Sequence, residues 1–497
     1  MNLFAVIRLL GLLLLALAAL MAPSLLFALY YQDGSQRALL WSMAVTALCG
    51  ALLYGAGRLR TEDLFRREAT AVAGVGWILC ALAGALPYWF YGCFDTFADC
   101  LFESMSGFTT TGASVITVTA RLPCSIESLP EGLLFWRAFT HWLGGMGIVV
   151  LFVALLPFLG AGGRALFKSE TPGPVKDGLT PRVKETAKIL WGIYVVLTAV
   201  ETVLLMALGM NLHEALCHAF ATMATGGYST RNASIAHYGS SLVHLVIIVF
   251  MFAAAANFSL YYRAIRGERG VFLRDREFRA YLLVVAAGTA FVAACLMLAG
   301  TYSHLGLCVR DALFQVVSIL TTTGFVTADF NQWPPPVKIF LVTLMFIGGS
   351  AGSTGGGMKV IRCVILARIA GGALEKAYSP RMIRKPRVGN EPLPEDLQRA
   401  TLVFFFIWMI SFILGSIAIA LIEPDLDMAT SITAVAATIN NVGPGLELVG
   451  ATGHYAFFTP PAKILLSFFM VLGRLELYTV LVLFAPRFWR EIGRAHV

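Results

Sequence analysis

Four times along this chain a semi-apolar stretch runs into a bend of small residues, and that recurrence limits the fold more than any other feature. The first copy runs from Leu101 into Thr109-Thr-Thr-Gly112, and the second from Ala215 into Ala224-Thr-Gly-Gly227. The third runs from Ala312 into Thr321-Thr-Thr-Gly324, and the fourth from Ala429 into Asn440-Asn-Val-Gly443. The glycines are spaced by 115, 97 and 119 residues. Internal repeats are read before single motifs because they set the architecture. One such bend is an ordinary helix turn or a close-packing site. Four in register, each after a stretch of about ten to twelve residues that is too short to cross a bilayer, predict half-inserted helices ending in loops.

The surroundings of the repeats are bilayer-like. Of 497 residues 58% are apolar and only 13% are charged, with mean hydropathy +0.76. Soluble domains are usually about 25% charged, so a soluble enzyme, a nucleic-acid binder and a disordered chain are all excluded. Spanning segments are expected near 4–30, 39–57, 69–92, 133–160, 187–209, 240–262, 280–300, 336–369, 400–422 and 461–485. The first has Arg8 before an apolar run, like a signal peptide, but its length and the span that follows favour a retained helix. With Arg8 and Arg494, about 29 of the 37 Lys and Arg fall on one side, in alternate loops from Arg58–Arg67 through Arg164–Lys188, Arg263–Arg279 and Lys359–Arg399 to Arg487–Arg490. That asymmetry places those loops, and both termini, on the cytoplasmic side. Net charge is +8, but it is dispersed in short anchoring clusters and offers no continuous surface for nucleic acid.

Unpaired backbone cannot face lipid and survives only where it is buried in protein or lines a wet cavity. Four re-entrant loops should therefore meet on one axis. A helix that enters from outside and stops halfway points its partial negative end inward, which favours a cation. Carbonyl oxygens in the loops can then replace the ion's hydration shell. Glycine permits the backbone conformations that let adjacent carbonyls converge. The expected fold is an all-α polytopic membrane protein with two N-terminal helices and four helix–half-helix–filter loop–helix repeats, in pseudo-fourfold arrangement around a central pore. Its parts are 1–67 for the two N-terminal helices, then 68–163, 164–270, 271–372 and 373–490 for the repeats, the last opening with a cytosolic loop. Residues 491–497, Glu-Ile-Gly-Arg-Ala-His-Val, resemble a translated adapter read and are set aside as a non-native tail.

These loops, the run Gly348-Gly-Ser-Ala-Gly-Ser-Thr-Gly-Gly-Gly-Met-Lys-Val-Ile-Arg362 and the segment Gly473-Arg-Leu-Glu476 together resemble the TrkH/TrkG/KtrB superfamily of potassium transporters. The resemblance covers nearly the whole chain, and the two additional N-terminal spans resemble the TrkH/TrkG branch. It implies potassium uptake across the bacterial inner membrane, K+ as the transported and filter-bound ion, and no organic cofactor. It also implies a homodimer embedded in lipid, and a cytosolic nucleotide-binding regulatory partner of the TrkA type. Carried over by position, the filter residues are Thr110, Thr111 and Gly112; Thr225, Gly226 and Gly227; Thr322, Thr323 and Gly324; and Asn441, Val442 and Gly443. The fourth loop departs from the threonine pattern, and each loop has one aligned glycine instead of a Gly-Tyr-Gly doublet. The expectation is a looser filter that prefers K+ and admits some Rb+ or Na+.

The eighth span is overlong and is interrupted by Gly348, Gly349, Ser350, Ala351, Gly352, Ser353, Thr354, Gly355, Gly356 and Gly357, of which seven are Gly or Ala. Such a stretch should unwind near mid-membrane, and the resemblance makes it a gating loop. Arg474, in the last span, is an intramembrane cation and by default a functional candidate. The resemblance places it below the filter, where it would repel cations or hold loop carbonyls. The bland alternative pairs it with Glu476, or has it cap carbonyls, for packing.

Two rival readings use the same residues. Gly348-Gly-Ser350-Ala-Gly352 matches the nucleophile-elbow pattern of a serine hydrolase, which needs a strand–turn–helix setting and a histidine. His141, inside an apolar run, is the only candidate histidine and reads better as a pore-wall or core residue. An alternating-access cation transporter also uses broken helices, usually in twofold repeats. The P-loop pattern is not met, because Met358 separates Gly357 from Lys359. Three smaller expectations complete the reading. Acids Glu103, Asp311, Glu423, Asp425 and Asp427 flank the half-helices, either concentrating cations at the mouth or capping helices. The basic loop 374–399 anchors the cytosolic side or contacts the regulator. Cys93, Cys100 and Cys124 lie close enough in sequence to permit an outer disulfide.

Overall fold

The computed structural model describes residues 2–57, 66–118, 122, 125–147, 183–379, 387–388, 391–475 and 477–489. Among them the chain is helical apart from one antiparallel pair, β1 (Arg387–Val388) with β2 (Glu391–Pro392). The N-terminal apolar run forms α1 (Leu3–Leu20) and α2 (Ala22–Tyr31), divided only at Met21. The next helix, α3 (Gln36–Ala56), returns along α1. Gly11 and Gly50 form their crossing: a Cβ on Gly11 would lie 2.7 Å from the Gly50 carbonyl oxygen, and one on Gly50 2.9 Å from that of Gly11. Small residues let backbones approach where lipid supplies no hydrophobic drive between helices.

The remaining main helices are α4 (Arg66–Tyr91), α5 (Phe97–Phe108), α6 (Glu131–Gly145), α7 (Val183–Ala207), α8 (Leu212–Met223) and α9 (Ser241–Ala254). They continue with α10 (Phe258–Ile265), α11 (Arg276–Leu298), α12 (Leu305–Leu320), α13 (Pro335–Met345) and α14 (Val360–Tyr378). The chain closes with α15 (Glu395–Ile422), α16 (Met428–Ile439), α17 (Pro460–Arg474) and α18 (Leu477–Leu481). Among the described residues six helices, counting α1 and α2 as one, are long and apolar enough to cross a bilayer, and a seventh span arises if α9 and α10 are joined. Apolar side chains such as Phe406, Ile410, Ile417 and Leu421 on α15, and Val196 and Val203 on α7, point outward. An exposed belt of this kind is covered by lipid. The protein is a multi-pass membrane protein.

Helices α5, α8, α12 and α16 are the short elements expected before each glycine, with 12, 12, 16 and 12 residues. At 1.5 Å per residue, a 12-residue helix covers roughly 18 Å, short of a bilayer's hydrocarbon thickness. Three have N-caps: Thr96, Asn211 and Asp427 accept from the backbone N–H three residues on. Most of their residues are buried, with Phe102, Phe108, Ala219, Phe314 and Ala436 inaccessible.

Several expectations need correction. The span expected at 240–262 is not continuous: α9 and α10 meet at 93° across residues 255–257. There Asn257 caps α10 by accepting from the Ser259 N–H at 2.9 Å, and the Ala255 carbonyl turns outward to accept from Ser350. The span expected at 461–485 stops at Arg474 and resumes at Leu477; Glu476 lies outside the described residues. The span expected at 133–160 is described only as far as Gly147. The basic loop 374–399 is shorter than expected, because α14 runs to Tyr378 and α15 begins at Glu395. Cys93 and Cys100 are free thiols, and Cys124 lies outside the described residues, as do residues 491–497. Glu103 and Asp311 do not face an outer mouth: both are buried, Glu103 against Arg137 and Asp311 against Arg310 and Tyr302. Glu423 accepts from the Thr459 N–H, and among these acids only Asp427 serves as an N-cap.

Candidate ion pathway

The four short helices end in one and the same way. After α5, the N–H of Thr110 returns to the Gly107 carbonyl and that of Thr111 to Ser106. The same pair of bonds follows α8 (Thr225 to Thr222, Gly226 to Ala221), α12 (Thr322 to Ile319, Thr323 to Ser318) and α16 (Asn441 to Thr438, Val442 to Ala437). This is the Schellman closure, which needs a left-handed residue just past the helix. Glycine usually fills that position. Here it is Thr110 (φ 53°), Thr225 (54°), Thr322 (60°) and Asn441 (54°), and the second left-handed position two residues later is Gly112, Gly227, Gly324 or Gly443 (φ 78° to 93°). A β-branched residue in the left-handed region is strained, at on the order of 1–3 kcal/mol each.

The closure consumes the loop N–H groups and leaves the carbonyls. Thr110, Thr111, Thr322, Thr323, Asn441 and Val442 are all buried. Among the described residues no protein donor reaches their carbonyl oxygens. Buried carbonyls without partners are uncommon and call for an outside ligand.

The glycines show how the loops are ordered. A side chain on Gly112 would collide with the carbonyl oxygen of Gly226, one on Gly227 with that of Thr323, and one on Gly324 with that of Val442. One on Gly443 would collide with the carbonyl oxygen of Thr111. The contacts run from the first loop to the second, third and fourth and back to the first. The cycle closes, with the carbonyl of the residue before each glycine resting on the glycine of the preceding loop.

Below this ring α13 ends at Met345 and α14 begins at Val360, with residues 346–359 unwound between them. The unwound segment is tied down throughout. The Ser350 N–H donates to Ala255 O at 2.9 Å, Thr354 Oγ1 to Ala254 O at 3.0 Å, and Gly352 O accepts from the Phe258 N–H at 3.1 Å. The break between α9 and α10 thus supplies the groups that the loop needs. The Glu277 carboxylate at the start of α11 accepts from the Ala351 N–H within the segment at 2.8 Å and from the Ile361 N–H in the first turn of α14 at 3.1 Å, tying the two together. Upward, the Gly356 N–H donates to Thr322 Oγ1 at 2.7 Å, so the loop touches the third filter-like bend directly. Lys359 Nζ donates back to the Gly355 and Gly356 carbonyls.

Arg474 reaches the same loop from the end of α17. Its Nη1 donates to Thr354 O at 2.6 Å, and its Nη2 to Gly144 O and Gly145 O, at the end of α6, at 2.5 and 2.6 Å. Gly355, Gly356, Gly357, Lys359, Arg474 and Gly473 share one cavity with Arg362, Phe404 and Trp408. The expected residues are therefore assembled as two adjoining layers, a ring of bends and a loop beneath it.

Other predicted features take plainer roles. His141 is buried, holds Gly107 O at 2.8 Å through Nδ1, and stacks on Tyr228 with ring centroids 4.0 Å apart. Ser350 Oγ is buried without a hydrogen-bond partner, and it sits in an unwound segment between helices. A nucleophile elbow needs a strand entering the turn. Glu277, Arg137 and the break at 255–257 were not anticipated. Arg137 was visible as an isolated charge in an apolar run, a signal that marks function or a specific partner, whereas Glu277 sits within the charged run Arg274–Arg279 and carried no such signal.

A profile for the TrkH family, described as a cation transport protein, matches residues 35–491. This chain belongs to the TrkH family. The family is one of transporters, not enzymes, so the hydrolase reading falls. The chain is 40% identical to the Trk system potassium uptake protein TrkH of Halomonas elongata over 495 residues, covering 99% of this chain and all of the relative. It is 38% identical to the protein of the same name from Escherichia coli K12 over 494 residues, with 99% and 100% covered. Identity to the E. coli K12 protein TrkG is 34% over 475 residues, 95% of each chain. The crystal structure of the potassium transporter TrkH from Vibrio parahaemolyticus matches this TrkH-family fold with TM-score 0.87 at 36% identity, covering 99% of this chain and 100% of that one.

Proposed function

We propose that the protein takes up K+ across the bacterial inner membrane, passing the ion through a filter of four backbone loops above a closable intramembrane segment. The observation that carries this reading is the closed cycle of loop contacts, in which buried carbonyls without protein donors converge while the N–H groups of the two residues before each glycine are tied back. Convergent carbonyls suit a dehydrated monovalent cation and repel an anion. The filter residues are those around Gly112, Gly227, Gly324 and Gly443. The parts follow as two N-terminal helices (1–67) and repeats at 68–163, 164–270, 271–372 and 373–490. Relatives named as potassium uptake proteins support the choice of ion.

The segment Gly348–Gly357 acts as the gate and Arg474 as its latch. The loop lies against the filter at Thr322, and Arg474 binds it to α6. Both termini face the cytoplasm, as the distribution of Lys and Arg supports. The protein works as a homodimer, and a cytosolic nucleotide-binding subunit of the TrkA type releases the latch. The relatives' name, Trk system, supports a multi-component assembly.

Rubidium uptake into proteoliposomes, with the native chain and with Gly324→Ser, tests the filter. Serine there would meet the Val442 carbonyl and Pro444 at a left-handed position (φ 81°), so selective uptake should be lost while the protein still purifies as a folded oligomer. Unchanged uptake and selectivity would refute the filter.

A further inference from the structure

The loops are not held from behind in the same way, and the difference is chemical. The residue nine positions before the glycine is Glu103 in the first repeat, His218 in the second, Gln315 in the third and Ala434 in the fourth. Glu103 accepts from the Val115 N–H at 2.9 Å and from Ser114 Oγ at 3.1 Å, gripping its own loop two and three residues past Gly112. His218 Nε2 meets Ser229 Oγ, two residues past Gly227, at 3.0 Å. Gln315 is fully buried, and among the described residues neither of its amide atoms finds a hydrogen-bond partner, while alanine has nothing to offer.

In the first repeat the brace extends across to the second. Arg137 Nε donates to Glu103 Oε1 at 2.7 Å, with side-chain exposures of 3% and 0%. Its Nη1 donates to the Ser229 carbonyl at 3.0 Å, and the guanidinium lies 3.4 Å above the centre of the Tyr228 ring. Tyr228 closes the circuit, its hydroxyl donating to Glu103 O at 2.9 Å. One buried ion pair thus holds the outgoing strands of two adjacent loops.

We propose that Glu103 and Arg137, with Tyr228, are positioning residues for selectivity: they set the separation of the first and second filter loops and so the fit of the carbonyl ring to its ion. A buried ion pair is a poor source of stability compared with apolar packing of equal volume. What it supplies is direction, because a planar guanidinium and a carboxylate fix several bonds at once. In the third and fourth loops the corresponding ties are neutral, Ser318 Oγ to Phe325 O at 2.6 Å and the Leu446 N–H to Thr433 Oγ1 at 2.9 Å. The first two loops are therefore the stiffly mounted half of the ring. This inference rests on the filter reading above.

The test is competition of Na+ against rubidium uptake by the full-length protein in proteoliposomes. Glu103→Gln, Tyr228→Phe and the double variant Glu103→Gln/Arg137→Gln are compared with the native chain. Glu103→Gln should lower the preference for Rb+ over Na+ by roughly tenfold, an ordinary size for coupling between contacting residues. Tyr228→Phe, which removes only a hydroxyl, should shift it in the same direction by less. The double variant removes both charges and should also lower the preference, by no more than Glu103→Gln alone. A merely structural role would lower Rb+ and Na+ flux in proportion and leave the preference intact; that result in Tyr228→Phe and the double variant overturns the proposal. If Glu103→Gln fails to fold, those two variants decide. If the native chain itself shows no preference, the filter reading fails instead, so the two failures are distinguishable.

Discussion

Arg474 and Thr354, 120 positions apart in the chain, are joined by a 2.6 Å hydrogen bond from the guanidinium to a main-chain carbonyl. The bond ties the end of one interrupted span to the middle of another. Its partner bonds to Gly144 and Gly145 reach a third helix. A cation placed so is satisfied by carbonyl dipoles of the very loop it restrains, and in the proposed pathway its charge would add a barrier to a cation passing below the ring. A charge-assisted hydrogen bond is worth about 1.5–3 kcal/mol. Arg474→Ala should therefore raise basal rubidium flux about tenfold or more without any regulator. Flux that is unchanged, or lost at normal expression, would count against the latch.

Glu277 ties the unwound segment, at Ala351, to the first turn of α14, at Ile361. Glu277→Ala leaves two buried N–H groups without an acceptor, at about 1–3 kcal/mol each. The loop should open more readily, giving higher basal flux and greater protease sensitivity between Met345 and Val360. Glu277→Gln keeps a carbonyl acceptor and should fall between the two. Equal flux in all three proteins would show that the clamp is passive.

Thr322 has two jobs that can be separated. Its backbone belongs to the third bend, while its Oγ1 accepts from Gly356 below. Thr322→Val keeps the shape and removes the acceptor, so basal flux should rise while ion preference is retained. Thr322→Ser should behave as native. Loss of preference in Thr322→Val with unchanged flux would reverse the assignment.

Asn441 explains why the fourth bend departs from threonine. Its Nδ2 donates to Thr111 Oγ1 at 2.9 Å and to Met470 O at 2.8 Å, linking the fourth loop to the first and to α17. A threonine cannot make both bonds. Asn441→Thr should weaken ion preference severalfold and lower the thermal midpoint, the loss of two buried bonds being about 1–3 kcal/mol. Full retention of both properties would leave the departure unexplained.

The ring was legible because its demands are local. Left-handed backbone falls to glycine at Gly112, Gly227, Gly324 and Gly443, and small-residue bends mark the sequence wherever they occur. The unwound segment at 348–357 was equally plain, since so many adjacent glycines do not hold a helix. Other features depended on distant partners. Glu277 acts on residues 74 and 84 positions away, and Arg137 acts on Ser229, 92 away, so neither looked like more than a stray charge. The break at 255–257 contains no glycine or proline; Ala-Ala-Asn bends there because Ser350 and Thr354 take up the freed carbonyls. The threonines at Thr110, Thr225 and Thr322 were read as oxygen donors, whereas their left-handed backbone matters as much.

The central claim is that main-chain oxygens of four loops hold one dehydrated cation on a common axis. Anomalous diffraction from crystals grown in rubidium tests it most directly. A peak is expected on that axis, ringed by the carbonyls of Thr111, Gly226, Thr323 and Val442. A peak beside carboxylates away from the axis, with none between the loops, would contradict it.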